Sequence, residues 1–137
     1  MTTIIASLKS ALTGYGKYRG REGHYSFLLH RLTGLGILLF LIIHIVDTAT
    51  VYFFPELYNH AIEIYRKPLF MIGEIGIVFS VVFHGVNGIR IAYVDMVKPS
   101  NWTIEKQRKA ARAVLILSIV IWLPAAVIML KSLIEHL

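Results

Sequence analysis

Along the 137-residue sequence, six ionisable or strongly polar side chains fall inside otherwise apolar stretches: His44, Asp47, Glu74, His84, Asn87 and Arg90. His30, Arg31 and Asp95 stand at the edges of the same stretches. Such groups are expensive in hydrocarbon and are functional candidates by default. At 100° per residue, Gly73, Gly76, Ser80, His84 and Gly88 form one small-and-polar face of a helix, with Asn87 beside it. Glycines around a histidine let a partner helix or a flat ring approach the backbone closely, which is what an axial haem ligand needs. The same stripe also serves plain helix packing, and an intramembrane histidine also serves as a hydrogen-bonding tie between helices, so His84 carries both readings. His44 shares a face with His30 and Gly34, and Asp47 and Thr48 lie one turn beyond it as ready hydrogen-bond partners. It too reads as ligand or as packing. His24, His60 and His136 fall in loops or at an end and read as surface residues, Glu74 as a solvated carboxylate near the outer interface, and Arg90 as an edge charge.

The elements that must carry these groups follow from the hydropathy. The chain is 56% hydrophobic and only 16% charged, against about 25% charged in soluble domains, and its mean hydropathy is +0.65. So short a chain has too little interior to hide that much apolar surface, so the excess faces lipid. This argues against a soluble enzyme, a disordered tail and a disulfide-stapled module. With no cysteine the chain offers no thiolate nucleophile and no cysteine ligand for zinc or an iron–sulfur cluster. Uncharged runs at 32–46, 75–89 and 113–130 predict spanning helices at about 27–53, 69–97 and 112–133 in a single all-α membrane domain covering 1–137. Ile4, Ile5, Leu8 and Leu12 predict a short amphipathic helix in segment 1–26, which lacks the long apolar core of a signal peptide. The stretch GYGKYRGREG at 14–23 reads as a glycine-rich basic loop, 57–66 as an interfacial helix closed by Pro68, and Pro124 as a kink in the third span.

Lys+Arg outnumber Asp+Glu by 14 to 8. The surplus clusters before the first span and around 90–112, so the positive-inside bias puts the N-terminus and the 98–111 loop in the cytoplasm. Depth gives a further expectation. His44 lies about 21 Å along the axis from His30, and His84 about 16 Å from Asp95. If His30 and Asp95 share one level, the two imidazoles lie within several ångströms in depth. They would then clamp one haem between them, or each hold its own with a ligand from another subunit.

Two motifs carry a resemblance. SFLLHRLTG at 26–34 resembles the HRx(S/T)G element opening the first span of succinate dehydrogenase cytochrome b subunits, and HGVNGIRIAYVD at 84–95 resembles their HxxxG(I/L)RxxxxD element. The likeness covers most of 24–130. It implies a membrane anchor of complex II that pairs with a second anchor subunit and docks an iron–sulfur subunit and a flavoprotein. Those partners would hold the iron–sulfur clusters and FAD. It further implies that His84 is an axial ligand of haem b, with the opposite ligand from the second anchor. His30 and Arg31 would lie at a haem propionate, and Arg31, Ser26 and Asp95 at the site of ubiquinone or menaquinone. Phe27 occupies the position where the family usually has its quinone-site serine, with Ser26 one residue earlier. His44 resembles the additional first-span histidine of anchors some of which carry two haems, so one haem or two is expected, with Asp47 beside His44. The implied location is the bacterial cytoplasmic membrane. Alternatives are the cytochrome b anchor of a fumarate reductase or other quinone-linked enzyme, a haem-free structural anchor, and a transporter subunit. The last lacks the repeats and broken helices of that class.

Overall fold

The computed structural model describes residues 2–17 and 22–135, and all regular structure among them is helical. In chain order the elements are α1 (Thr2–Lys17), α2 (Glu22–Phe53), α3 (Pro55–Tyr65), α4 (Pro68–Met96), a 3₁₀ turn (Pro99–Asn101) and α5 (Ile104–Glu135). Prolines set several boundaries. Pro55 and Pro68 occupy the first turns of α3 and α4, where a missing N–H costs nothing, and Pro99 stops continuation of α4. α5 runs on through Pro124, whose lack of an N–H leaves the Val120 carbonyl without its helical donor.

α2, α4 and α5 are long and apolar enough to cross a membrane. α4 agrees with the expected span to one residue at each end. α2 and α5 start five and eight residues earlier than expected, because charged turns at 22–26 and 104–111 continue each helix past its apolar run. Of the supposed glycine-rich loop, 14–17 is the end of α1 and 22–23 the start of α2, while 18–21 lies outside the described residues, as does His136.

The three long helices pack side by side, α4 antiparallel to both α2 and α5. Along α2 and α4 the facing positions are Gly36 with Ser80, Gly34 with His84, His30 with Gly88, and Ser26 with Asn87. Along α4 and α5 they are Ile75 with Trp122, whose Nε1 donates to the Ile75 carbonyl at 3.1 Å, and Arg90 with Gln107, joined at 3.0 Å. The buried apolar residues are Phe83, Val94, Ala111, Val114, Ala126 and Leu133, and the buried polar ones Ser26, Thr33, Asn87 and Ser118. Small and polar residues dominate the interior because lipid is as apolar as leucine, so burial of Leu or Ile against another helix gains little. Leu38, Leu39, Ile42, Ile45 and Val46 of α2 accordingly stay on the outside.

Candidate functional site

The centre of the α2–α4 contact is a pair of imidazoles. His30 and His84 stack with centroids 4.0 Å apart and planes parallel to within 2°. His84 Nδ1 lies 3.0 Å from the backbone carbonyl of His30. A carbonyl oxygen only accepts, so Nδ1 carries the hydrogen, and the neutral ring keeps its lone pair on Nε2. That tautomer is the one a metal-ligating histidine uses, with its second nitrogen held by a backbone carbonyl. Gly34 makes the seat: a Cβ there would stand 2.8 Å from His84 Cε1 and 3.2 Å from Nδ1. Any larger residue closes the notch. Gly88 receives the His30 ring in the same manner but more loosely, at 3.8 Å.

Hydrogen-bonding around this pair is incomplete. Ser26 Oγ donates to Asn87 Oδ1 at 3.1 Å, with Asn87 fully buried. Asn87 Nδ2, His30 Nδ1 and Arg90 Nε are buried without a partner. Orphaned donors and acceptors at one depth mark a place where water or a bound group completes the network. No cluster of three or more metal-ligating side chains forms among the described residues.

The other expected site residues are dispersed. Arg31 is exposed on α2, its guanidinium 5.4 Å from the centroid of the Phe27 ring. Ser26 points the other way, into the bundle towards Asn87. Asp95 is exposed and accepts from Trp102 Nε1 at 3.1 Å. The fold does not bring Arg31, Ser26 and Asp95 together within this chain. His44 is exposed and stacks on Phe40 of its own helix at 5.4 Å. Its neighbours are engaged elsewhere: Thr48 bonds to the His44 backbone carbonyl, and Asp47 accepts the Tyr65 hydroxyl from α3. That carboxylate pushes the Tyr65 phenol up to about 12.

The depth expectation is corrected by the register. His30 faces Gly88, not Asp95, so Asp95 sits about 10 Å nearer the basic end than supposed. His84 is thus level with His30 and Gly34, while His44 lies about 15 Å further along α2 than Gly34. His44 and His84 of one chain do not face each other across one haem.

Two features were missed in the sequence. Glu22 pairs with Arg108 at 2.9 Å and with Arg112, tying the start of α2 to the basic turns of α5. Gly34 as the seat of His84 was visible only in the antiparallel register: of the glycines sharing the His84 face of its own helix, Gly73 and Gly76 meet nothing within 4 Å and Gly88 receives the His30 ring.

Three lipid-length helices, with a half-buried histidine pair stacked between two of them, define an integral membrane protein with a polar site inside its bundle. The family model of the succinate dehydrogenase/fumarate reductase transmembrane subunit matches residues 8–125, and the chain belongs to that family. It is 38% identical over 78 residues to the succinate dehydrogenase 2 membrane subunit SdhC of Mycobacterium tuberculosis, a match covering 57% of each chain. The chain thus spans somewhat over half the length of that curated relative.

Proposed function

We propose that this chain is the haem b-binding anchor of a succinate:quinone oxidoreductase in the bacterial cytoplasmic membrane. It would dock the iron–sulfur and flavoprotein subunits, pair with a second anchor subunit, and pass electrons to membrane quinone. The observation that carries the reading is the seat of His84: its Nδ1–H is bound to the His30 carbonyl, Nε2 is left as the lone pair, and Gly34 supplies the notch. These residues fit a haem ligand, with His84 holding the iron from one side and a ligand from the second anchor on the other. When bound, haem b supplies a one-electron carrier within the bundle.

What the chain's own residues do follows from their surroundings. The His30 carbonyl fixes the tautomer and orientation of the His84 ring, and the His30 ring stacks on one of its faces. Arg31 is exposed at this end of α2, its guanidinium over the Phe27 ring. It supports the reading in which a guanidinium stabilises propionate or the charge that a quinone takes up on reduction. Ser26 and Asp95 each have a partner in this chain, so their part in a quinone site requires them to exchange Asn87 or Trp102 for the substrate. His44 would serve a second haem only with a ligand supplied from outside this chain. The cytoplasmic placement of the end bearing Glu22, Arg108 and Arg112 rests on the positive-inside bias.

A reduced-minus-oxidised spectrum of the intact complex tests the proposal, and absence of a b-type band sinks it. Haem counted against flavin then separates one haem from two. Arg31→Ala is expected to impair quinone reduction while succinate oxidation by soluble artificial acceptors continues; equal loss of both would signal failed assembly. The family description spans succinate oxidation and fumarate reduction, and the name of the mycobacterial relative favours oxidation.

A further inference from the structure

Between α2, α4 and α5, at the end of the bundle carrying Glu22, lies an open groove of about 260 Å³. Its walls are apolar: Leu29 from α2, Phe83 from α4, and Ala111 and Leu115 from α5. Ser26 and the exposed Tyr25 also line it, and the Ser26 hydroxyl is turned to Asn87. The mouth is different. Glu22 and Arg112 stand there, and Glu22 is shared between Arg108 and Arg112. One carboxylate against two guanidiniums leaves one positive charge, and the Arg112 side chain is 62% exposed while that of Glu22 is 28% exposed.

Depth matches this division. Arg112 is the last charge before the uncharged run at 113–130, so it sits where hydrocarbon gives way to headgroups. From the level of Glu22 to that of Leu29 the groove runs about 10 Å along the helices. It is too small for a helix, about 10 Å across with its side chains, and suits a single flexible chain. An isoprenoid tail would fill the walls but leave the arginine unneutralised. Basic pockets between spanning helices on the cytoplasmic side are known to hold acidic lipid headgroups.

We propose that this groove binds an anionic phospholipid, one acyl chain lying along Leu29, Phe83, Ala111 and Leu115 and the phosphate resting on Arg112. The site is separate from the His84 seat and does not depend on the haem reading.

The test uses native mass spectrometry of the intact detergent-solubilised complex, titrated with phosphatidylglycerol or phosphatidylcholine of matched chains. The expected preference for phosphatidylglycerol is about fivefold, the ratio for one arginine acting on an acidic lipid at about 1 kcal/mol. Arg112→Gln should erase the preference. Glu22→Gln should increase it by removing the competing carboxylate, a gain that misfolding cannot mimic. Leu115→Trp, which fills the groove, should lower retention of both lipids. Inorganic phosphate at the same concentration should not displace the lipid, because the chain supplies part of the binding. Equal retention of the two lipids, an unchanged preference in Arg112→Gln, or displacement by phosphate alone overturns the proposal. So does a wild-type complex that retains no lipid because another subunit covers the groove.

Discussion

Replacing Gly34 by alanine places a carbon 2.8 Å from His84 Cε1. Carbon atoms rest about 3.5–4.0 Å apart, so the ring must withdraw by about 0.7 Å or the helices must part. The ring has little freedom to do so. It is held by the 3.0 Å bond to the His30 carbonyl and by the stack on His30 at 4.0 Å. A shift of that size takes the hydrogen bond beyond its useful range or disturbs the stack. Overpacking of this kind costs about 1–3 kcal/mol, from which the better helix propensity of alanine recovers up to about 1 kcal/mol. The net expectation is a loss of roughly 0–3 kcal/mol in thermal stability and, in the haem-loaded complex, a shifted midpoint potential and an altered low-spin resonance spectrum. Gly85→Ala and Gly36→Ala are the controls. The first meets nothing within 4 Å and the second only Ser80 Oγ at 3.9 Å, so both should be neutral or slightly stabilising. If Gly34→Ala matches these controls in melting temperature and in the haem spectrum, the notch does not seat His84 and the argument fails.

Other expectations are shorter. Asn87→Ala removes the fully buried acceptor of the Ser26 hydroxyl and should cost about 1–3 kcal/mol in a detergent melt, while Ser26→Ala alone should cost less. Ser118→Ala deletes a buried hydroxyl with no partner and should be neutral or stabilising in the same melt. Tyr65→Phe should loosen α3 from α2, seen as faster proteolysis of the 54–67 connection. For pH, the Tyr65 phenol is raised in the fold from 10.0 to about 12, so its bond to Asp47 is intact below pH 10 and is lost as pH climbs towards about 12. Tyrosinate absorbance should show one late-titrating tyrosine that disappears in Tyr65→Phe.

The three spans were legible in hydropathy because each is a long uncharged run, and α4 was bounded closely because Pro68 and Pro99 flank it. α2 and α5 were read too short at the same end. Their first turns carry charge, and the pairing of Glu22 with Arg108 and Arg112, 86 and 90 positions away, together with the Arg90–Gln107 bond, makes those turns part of the bundle. The importance of His84 was readable from its glycine-rich face, but for a partly mistaken reason. Of that face, Gly73 and Gly76 meet open space and Gly88 receives His30, while the glycine that seats His84 is on the neighbouring helix. A helical wheel orders residues around one axis and says nothing about the offset between two. The same limit produced the wrong depth for Asp95 and with it the idea of His44 and His84 facing each other. The partners of Asp47 and Asp95 lie on the interfacial helix and the 3₁₀-turn connection, whose folding back no local pattern encodes.

The clamp at Glu22 also has a meaning in time. Arg108 and Arg112 lie 12 and 16 residues beyond the end of α4, so both members of the His30–His84 pair leave the ribosome before the guanidiniums that neutralise Glu22. The third helix supplies both arginines at its leading end, and their arrival closes the bundle. The ion cluster therefore forms only after the histidine pair has been released, and a chain truncated before Ile104 lacks both arginines that hold the Glu22 carboxylate.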